Sequence, residues 1–449
     1  MLDFFKKISG PVTMHLELTE ACPERCRHCY NFVRDANYMP MSISKEDIDF
    51  ILNDFKANGG FHVILTGGEP LLVFDKLLYA VEGVLSRGFS LSVNSNLMTA
   101  SPDKMKVLKE AGVEHILTTI FSHEPTTHDF IASRQGAHTE ILKGIQVTRE
   151  AGIRVSVNMI VTNVNDNHVY ETGKLLHKIG LRKFIANRMI PSTLNSDTLK
   201  EEFLIKDETA KRYINDLLRL NKELGMTVST CRALPHCFLG DLNEHFDFVA
   251  RGCNAGKRHL LVGVNGNARA CVHEAEVYGN VKKIGIKGVW DNMEKWRRKD
   301  MLPKDCQECS LVEICEGGCR QIAEVVSGNW SEKDNLCKGK VNTFENFSLG
   351  VNSEVLNKVK NERFIVNSDL DFRKEEDFYL VRIFGAKCVL IEVKFGDFLI
   401  SVQDKVVSFT IDEFPDQNIK ELGLYLRYDM VKLLNGKEDF TSLLEQYKK

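Results

Sequence analysis

MHLELTEACPERCRHCY, residues 14–30, is the stretch on which the reading of this chain turns. Its first part, MHLELT from Met14, alternates apolar and polar residues with the period of a half-buried strand. Directly after Thr19 comes Cys22-Pro-Glu-Arg-Cys26-Arg-His-Cys29, a CX3CX2C triplet. Three thiolates on one tight loop can hold three corners of a cubic 4Fe-4S cluster and leave the fourth iron open to a ligand. Zinc is the rival reading. A structural zinc site wants a fourth protein ligand close by, and the nearest candidate, His28, is wedged inside the loop.

The alternation of strand and helix continues to about residue 190. Further strand candidates are HVILT from His62, SLSVN from Ser90, HILTTI from His115, RVSVNMIV from Arg154 and KFIANRMI from Lys183. Between them lie stretches of helical period: SKEDIDFILNDFKANG after a capping Ser42, FDKLLYAVEGVLSRG, PDKMKVLKEAG, EILKGIQVTREAG and HVYETGKLLHKIG. Nearly every one ends in Gly, the residue that most readily takes the left-handed cap. The pattern is α/β, with βα units around a parallel sheet. Six units are too few for the eight-fold barrel, so an open or partial barrel is expected, with its chemistry at the carboxyl ends of the strands.

The whole chain has 449 residues, 43% of them hydrophobic and 27% charged, an ordinary globular balance. That length suits two or three domains and excludes a disulfide-stapled miniprotein. With 59 basic and 62 acidic residues the net charge is -3, so no overall field draws the chain to nucleic acid or an anionic membrane. The opening MLDFFKKISGPV lacks the apolar core of a secretory signal, and no later run has the length of a membrane span, so a cytoplasmic location is expected. Thiols stay reduced there, and the 13 cysteines point to metal ligation or redox chemistry.

After the triplet no cysteine occurs until Cys231. Then follow Cys237, Cys253, Cys271, Cys306, Cys309, Cys315, Cys319 and Cys337, while Cys388 stands alone and reads as a small apolar residue of a strand. From Cys253 the frame is CX12GX4C, CX2CX5CX3C, C, with a single CX2C where zinc ribbons have pairs. Asn265-Gly266 inside it is the strongest short hairpin signal. A polar passage, KGKVNTFENFSLGVNSEVLNKVKNERF, reads as helix plus linker. The last eighty or so residues show strand-like runs (FYLVRIF, CVLIEV, FLISVQ, VVSFTI) and then amphipathic helices, LGLYLRYDMVKLLNG and EDFTSLLEQY.

The triplet at the end of the first strand resembles the radical S-adenosylmethionine enzymes, and the resemblance covers residues 12 to about 190. All seven cysteines of the later frame match the SPASM extension of radical enzymes that modify peptides and proteins. The resemblance implies a partial (β/α)6 radical SAM barrel (1–205), a SPASM domain with two auxiliary clusters (206–345) and a small C-terminal α+β module (346–449). It implies three 4Fe-4S clusters and S-adenosyl-L-methionine. Cys22, Cys26 and Cys29 would hold the cofactor-binding cluster. Cys306, Cys309, Cys315 and Cys337 would hold one auxiliary cluster, and Cys253, Cys271 and Cys319 the other, with Cys237 preferred over Cys231 as its fourth ligand.

Around the cofactor, His28 corresponds to the residue packing near the adenine. Gly67-Gly68-Glu69 looks like the motif for the cofactor's amino group. Ser95 and Asn96 match the ribose position, although Leu97 replaces a glycine that the family often has there. Thr119 and Asn158 align with polar pocket positions, and Arg188 is placed to reach the carboxylate. In that family one electron splits the cofactor to a 5'-deoxyadenosyl radical that takes a hydrogen atom from substrate. The expected function is oxidative crosslinking or other tailoring of a ribosomally made peptide, with no catalytic base identified. Its partners would be a peptide or protein substrate with a leader, and an electron donor such as flavodoxin or ferredoxin. A formylglycine-type maturase is the alternative, although Val272 stands where those enzymes carry an acid and only His273 or Glu274 could substitute. A radical enzyme acting on a small molecule is a further alternative. The C-terminal module faintly resembles winged-helix peptide-recognition domains, which capture leaders at a sheet edge.

Overall fold

The computed structural model describes residues 7–31, 38–192, 201–239, 242–245, 248–249, 252–342, 364–366, 370–384, 387–405 and 431–433. Six strands follow in chain order: β1 (Thr13–Glu17), β2 (His62–Thr66), β3 (Ser90–Asn94), β4 (His115–Thr119), β5 (Arg154–Val161) and β6 (Lys183–Arg188). All pair in parallel with their sequence neighbours. β7 (Thr227–Ser229) extends the sheet beyond β6, and β8 (His259–Val262) pairs in parallel with β1 at its other flank. β9 (Ala268–Arg269) closes an antiparallel hairpin with β8 through Asn265-Gly266, where Gly266 has φ 86°. The result is nine strands in the order β7-β6-β5-β4-β3-β2-β1-β8-β9, so the cysteine-rich region adds strands to the barrel sheet itself.

The connecting helices are α1 (Lys45–Ala57), α2 (Phe74–Ser86), α3 (Pro102–Glu110), α4 (Pro125–Ala132), α5 (Ala137–Glu150), α6 (Val169–Lys178) and α7 (Asp207–Leu224). In α1 the apolar face Ile48, Ile51, Leu52 and Phe55 is fully buried, at about 1.5–3 kcal/mol for each large side chain. Its cap is Ser44, not Ser42: Ser44 Oγ accepts from Asp47 N at 3.0 Å, while Ser42 Oγ donates to Thr19 Oγ1 at 2.8 Å and pins the cysteine loop. α4, PTTHDFIA, is too short and too polar to declare itself by period. Later come α8 (Val281–Asn292), single turns at Lys304–Gln307 and Val312–Cys315, and α9 (Arg320–Ser327).

The chain divides into two compact units, Met1–Phe344 and Glu345–Lys449. The second has a three-stranded antiparallel sheet, β11 (Asp371–Lys374), β12 (Phe378–Phe384) and β13 (Lys387–Glu392), besides the pair β10 (Phe364–Val366) and β14 (Val431–Leu433). Cys388 lies on β13. FLISVQ is not a strand. It belongs to α10 (Val393–Lys405), in which Phe395, Leu399 and Val402 are buried at helical spacing, a period that outweighs the apolar run. In LGLYLRYDMVKLLNG, Val431–Leu433 is strand rather than helix. The rest of that segment, VVSFTI, EDFTSLLEQY and the polar passage from residue 343 to 363 lie outside the described residues. No helix among the described residues is long and apolar enough to cross a membrane.

Candidate functional site

Two flanks hold the cysteine loop by its backbone. On one side Gly68 N donates to Thr19 O at 2.6 Å and Glu69 N to Ala21 O at 2.7 Å. A Cβ on Gly67 would stand 2.4 Å from Thr19 O, and one on Gly68 2.2 Å from Ala21 O. The two glycines therefore permit a close approach of backbone to backbone, and Gly67, at φ 142°, also needs the freedom of a residue without Cβ. On the other side the end of α4 receives the loop: Arg27 N donates to Ile131 O at 2.8 Å, Arg25 N to Ala132 O at 3.3 Å, and Arg134 Nη1 to Pro23 O at 3.2 Å.

Cys22, Cys26 and Cys29 are all half-buried on this loop, and Cys26 packs against the core of Phe121, Ile131 and Met189. Burial pushes the Cys22 thiol up to about 12, so only a bound cation would draw out its thiolate. Among the described residues no three His, Cys, Asp or Glu side chains converge as a single metal ion requires. A cube spreads its ligands over separate corners, and three soft thiols on one pinned loop fit that demand. The His28 ring meets Phe121 edge to face at 4.9 Å between centroids.

Glu69 is completely buried. Its carboxylate accepts from Leu71 N at 2.9 Å, Ser95 Oγ at 2.7 Å and Asn96 N at 2.7 Å, which knits the end of β2 to the end of β3. Burial raises this carboxyl to about 7 against the pull of those donors. Asn96 Nδ2 reaches Glu24 Oε2 at 3.0 Å and lies 3.9 Å from Cys22 Sγ. Leu97 adopts φ 62°, the left-handed conformation a glycine takes easily, while fully buried. Thr119 and Asn158 face one another in the β4–β5 register, and Asn158 Oδ1 accepts from Asn187 Nδ2 at 2.7 Å. Asn187 Oδ1 in turn accepts the backbone N–H of Cys231 at 2.7 Å and of Arg232 at 3.1 Å. Asn187 escaped the sequence reading, although a polar residue on a strand end is the same signal that singled out Thr119 and Asn158.

Arg188, expected to reach the cofactor's carboxylate, is buried in a fork on Asp334, with Nη1 at 2.8 Å from Oδ1, and Nη2 donates to Ala233 O at 2.7 Å. Asp334 also accepts from Cys319 N at 2.7 Å, so the guanidinium braces the later cysteine region against β6. No sequence signal marks Asp334, which lies 146 positions from its partner.

The later thiols form two groups. Cys253, Cys271 and Cys319 lie within electrostatic reach of one another, and burial pushes Cys253 up to about 11 and Cys271 up to about 12. Glu316 accepts from Cys253 N at 3.1 Å and forms a buried ion pair with Lys257. In the second group Cys337 receives hydrogen bonds from the thiols of Cys237, at 3.7 Å, and Cys306. His236 N donates to Cys315 Sγ at 3.4 Å. Cys237, preferred from sequence as the fourth member of the Cys253 group, thus stands beside Cys337. Cys309 Sγ accepts from Val341 N at 3.3 Å. Cys231 is exposed after β7. The two cysteine fields meet where Tyr30, next to Cys29, packs edge to face on His273, two residues past Cys271, at 5.3 Å.

Residues 16–176 match the family model described as the radical SAM superfamily, and residues 253–317 match that of SPASM, an iron-sulfur cluster-binding domain. The chain is 23% identical over 351 residues to an AdoMet-dependent heme synthase of Nitratidesulfovibrio vulgaris, covering 72% of this chain and 91% of that protein. It is 25% identical over 357 residues to a PqqA peptide cyclase of Methylocella silvestris, covering 74% and 88%. The crystal structure of Streptococcus suis SuiB bound to its precursor peptide SuiA shares the fold, with a TM-score of 0.56 at 16% identity over 74% of this chain and 77% of that one.

Proposed function

The chain belongs to the radical SAM superfamily and carries a SPASM iron-sulfur domain, and from that premise we propose that it is a cytoplasmic peptide maturase that crosslinks or otherwise oxidises a ribosomally made peptide. Both domains imply iron-sulfur clusters and S-adenosylmethionine. When bound, that pair supplies a one-electron cleavage whose radical product removes a hydrogen atom from substrate. Cys22, Cys26 and Cys29 hold the first cluster in this reading. Cys253, Cys271 and Cys319 hold a second, and a third takes its ligands from Cys306, Cys309, Cys315 and Cys337. His28, Gly67, Gly68, Glu69, Ser95, Asn96, Thr119 and Asn158 line the cofactor's place in this reading, and Glu69 ties together the loops that carry several of them.

The observation that carries the proposal is the contact of Tyr30 with His273, which sets the two cysteine fields on one interior. A substrate bound there would lie between the site of hydrogen abstraction and an electron acceptor, as a two-electron oxidation needs. Of the two candidate bases of the formylglycine alternative, Glu274 is buried and accepts from Tyr278 Oη at 2.7 Å, which leaves His273, packed on Tyr30, as the one that alternative would need. The likeness to heme synthases favours a second reading, a radical enzyme for a small molecule. An electron donor of the flavodoxin or ferredoxin type would feed the first cluster, and the sheet of the C-terminal unit offers edges for a leader peptide.

Co-expression with short peptides encoded beside the chain tests this directly. Mass spectrometry is expected to show a loss of about two mass units per oxidation. A candidate set unchanged in mass, with 5'-deoxyadenosine still formed by the reduced enzyme, would discard the peptide reading in favour of the small-molecule one.

A further inference from the structure

Arg232 is a half-buried cation with no carboxylate partner among the described residues. Arg232 follows β7, and Asn187 Oδ1 fixes its backbone N–H at 3.1 Å. Its guanidinium makes no hydrogen bond or ion pair among the described residues. Arg188 has Asp334, Lys257 has Glu316 and Arg269 has Glu17 at 3.2 Å, while the buried Arg297 and Arg320 donate to backbone carbonyls.

The groups around Arg232 come from several elements. His15 on β1 and His259 on β8 meet edge to face at 5.3 Å, and Tyr30 meets His273 at the same separation. Alternation along β1 turns Met14 and Leu16 to the fully buried outer layer and leaves His15 on the inner face. The field of Arg232 reaches His15, His259, His273, Tyr30 and Cys271. His15, His259, Tyr30 and Arg232 itself all keep accessible surface. Burial holds His15 and His259 neutral, so neither repels the guanidinium and each can offer an N–H. A permanent cation with neutral N–H and O–H donors around it is complementary to a carboxylate, which a guanidinium fork receives in bidentate fashion.

We propose that Arg232 binds a carboxylate of the substrate, an Asp or Glu side chain of the peptide, inside the barrel on the side lined by β8 and Cys271. The inference rests on the peptide reading above and narrows it to acidic substrates. The same chemistry has a second source, the carboxylate of S-adenosylmethionine, and the experiment separates the two.

Radiolabelled N-acetylglutamate amide and N-acetylglutamine amide are dialysed to equilibrium against the anaerobically reconstituted full chain. The acid is expected to bind about tenfold better than the amide, with the preference falling to about twofold or less in Arg232→Gln. Cluster absorption and S-adenosylmethionine affinity stay unchanged in that variant, and Arg232→Lys keeps part of the preference. If Arg232→Gln instead weakens S-adenosylmethionine about tenfold and leaves the preference intact, the carboxylate is the cofactor's and the proposal is overturned. No preference in the natural protein overturns it too. Should Arg232→Gln fail to assemble its clusters, Arg232→Lys decides: a preference reduced about threefold or more supports the proposal, and an unchanged one refutes it. No turnover is needed, so failure here and failure of the peptide reading, which is judged by product mass, remain distinct.

Discussion

The two cysteine fields are built on opposite plans. The first lies within eight consecutive residues and is fixed by main-chain hydrogen bonds to the Gly67–Glu69 turn and to the end of α4. The second gathers thiols from Cys237 to Cys337 and is braced by buried ion pairs, Arg188 with Asp334 and Lys257 with Glu316. A short loop can be held by backbone alone, because few degrees of freedom need to be frozen. A site assembled from distant segments needs anchors that act across the fold, and charge pairs supply them.

Cys26→Ala carries the largest expected effect: reductive cleavage of S-adenosylmethionine falls more than about hundredfold, measured as 5'-deoxyadenosine formed without substrate. Cys337→Ala leaves that cleavage within about twofold and disturbs only the iron content of the later field. Equal losses in both variants would erase the difference between the two cysteine fields. Next comes Arg188→Met, which leaves Asp334 buried without its partner and costs about 3–5 kcal/mol in denaturant unfolding. Adding Asp334→Leu should recover most of it, since an apolar pair replaces the ionic one; no recovery would show that the fork is not the brace.

The smallest effect is one of pH, and it is shared between the regions. Burial raises Glu274, in the later field, to about 7, as it does Glu69 in the first. Between the ordinary carboxylate range and about 7 the folded chain keeps protons that the unfolded chain has lost. The contribution of each of these two groups therefore falls as pH rises through that window, by about 3 kcal/mol in all, against the opposite contribution of buried neutral histidines such as His15 and His259. Glu274→Gln should change the difference between unfolding free energies near pH 5 and near pH 7 by about 2 kcal/mol. An unaltered difference would mean that Glu274 titrates normally.

The barrel was legible because its determinants are local. All six strands lie within a residue or two of the apolar runs that announced them, and Gly59, Gly88, Gly112, Gly152 and Gly180, each with positive φ, close the helices that end in them. Both cysteine frames stand out in the spacing, while their ligand sets follow from the family resemblance. Relations across the fold do not stand out there. Nothing near Arg188 betrays that Asp334 rather than a ligand takes its charge, and Arg232 sits in no pattern at all. Cys237 was placed by nearness in sequence to Cys253, but the fold carries it to Cys337. FLISVQ failed for a different reason: a short apolar run fits either period, and the neighbours Phe395 and Leu399 settle it.

β1 lies between β2 and β8 in the sheet, with Thr13 opposite His62 on one side and His259 on the other. During synthesis at the usual pace, roughly 10–40 s separate the emergence of those two neighbours of β1 from the ribosome. For that interval the strand that leads into the first cysteine loop offers an unpaired edge, the kind that invites aggregation. A nascent chain halted before β8 would thus expose its most valuable strand, and efficient production of this protein should depend on something, a chaperone or a slow growth temperature, that shields the edge until its partner arrives.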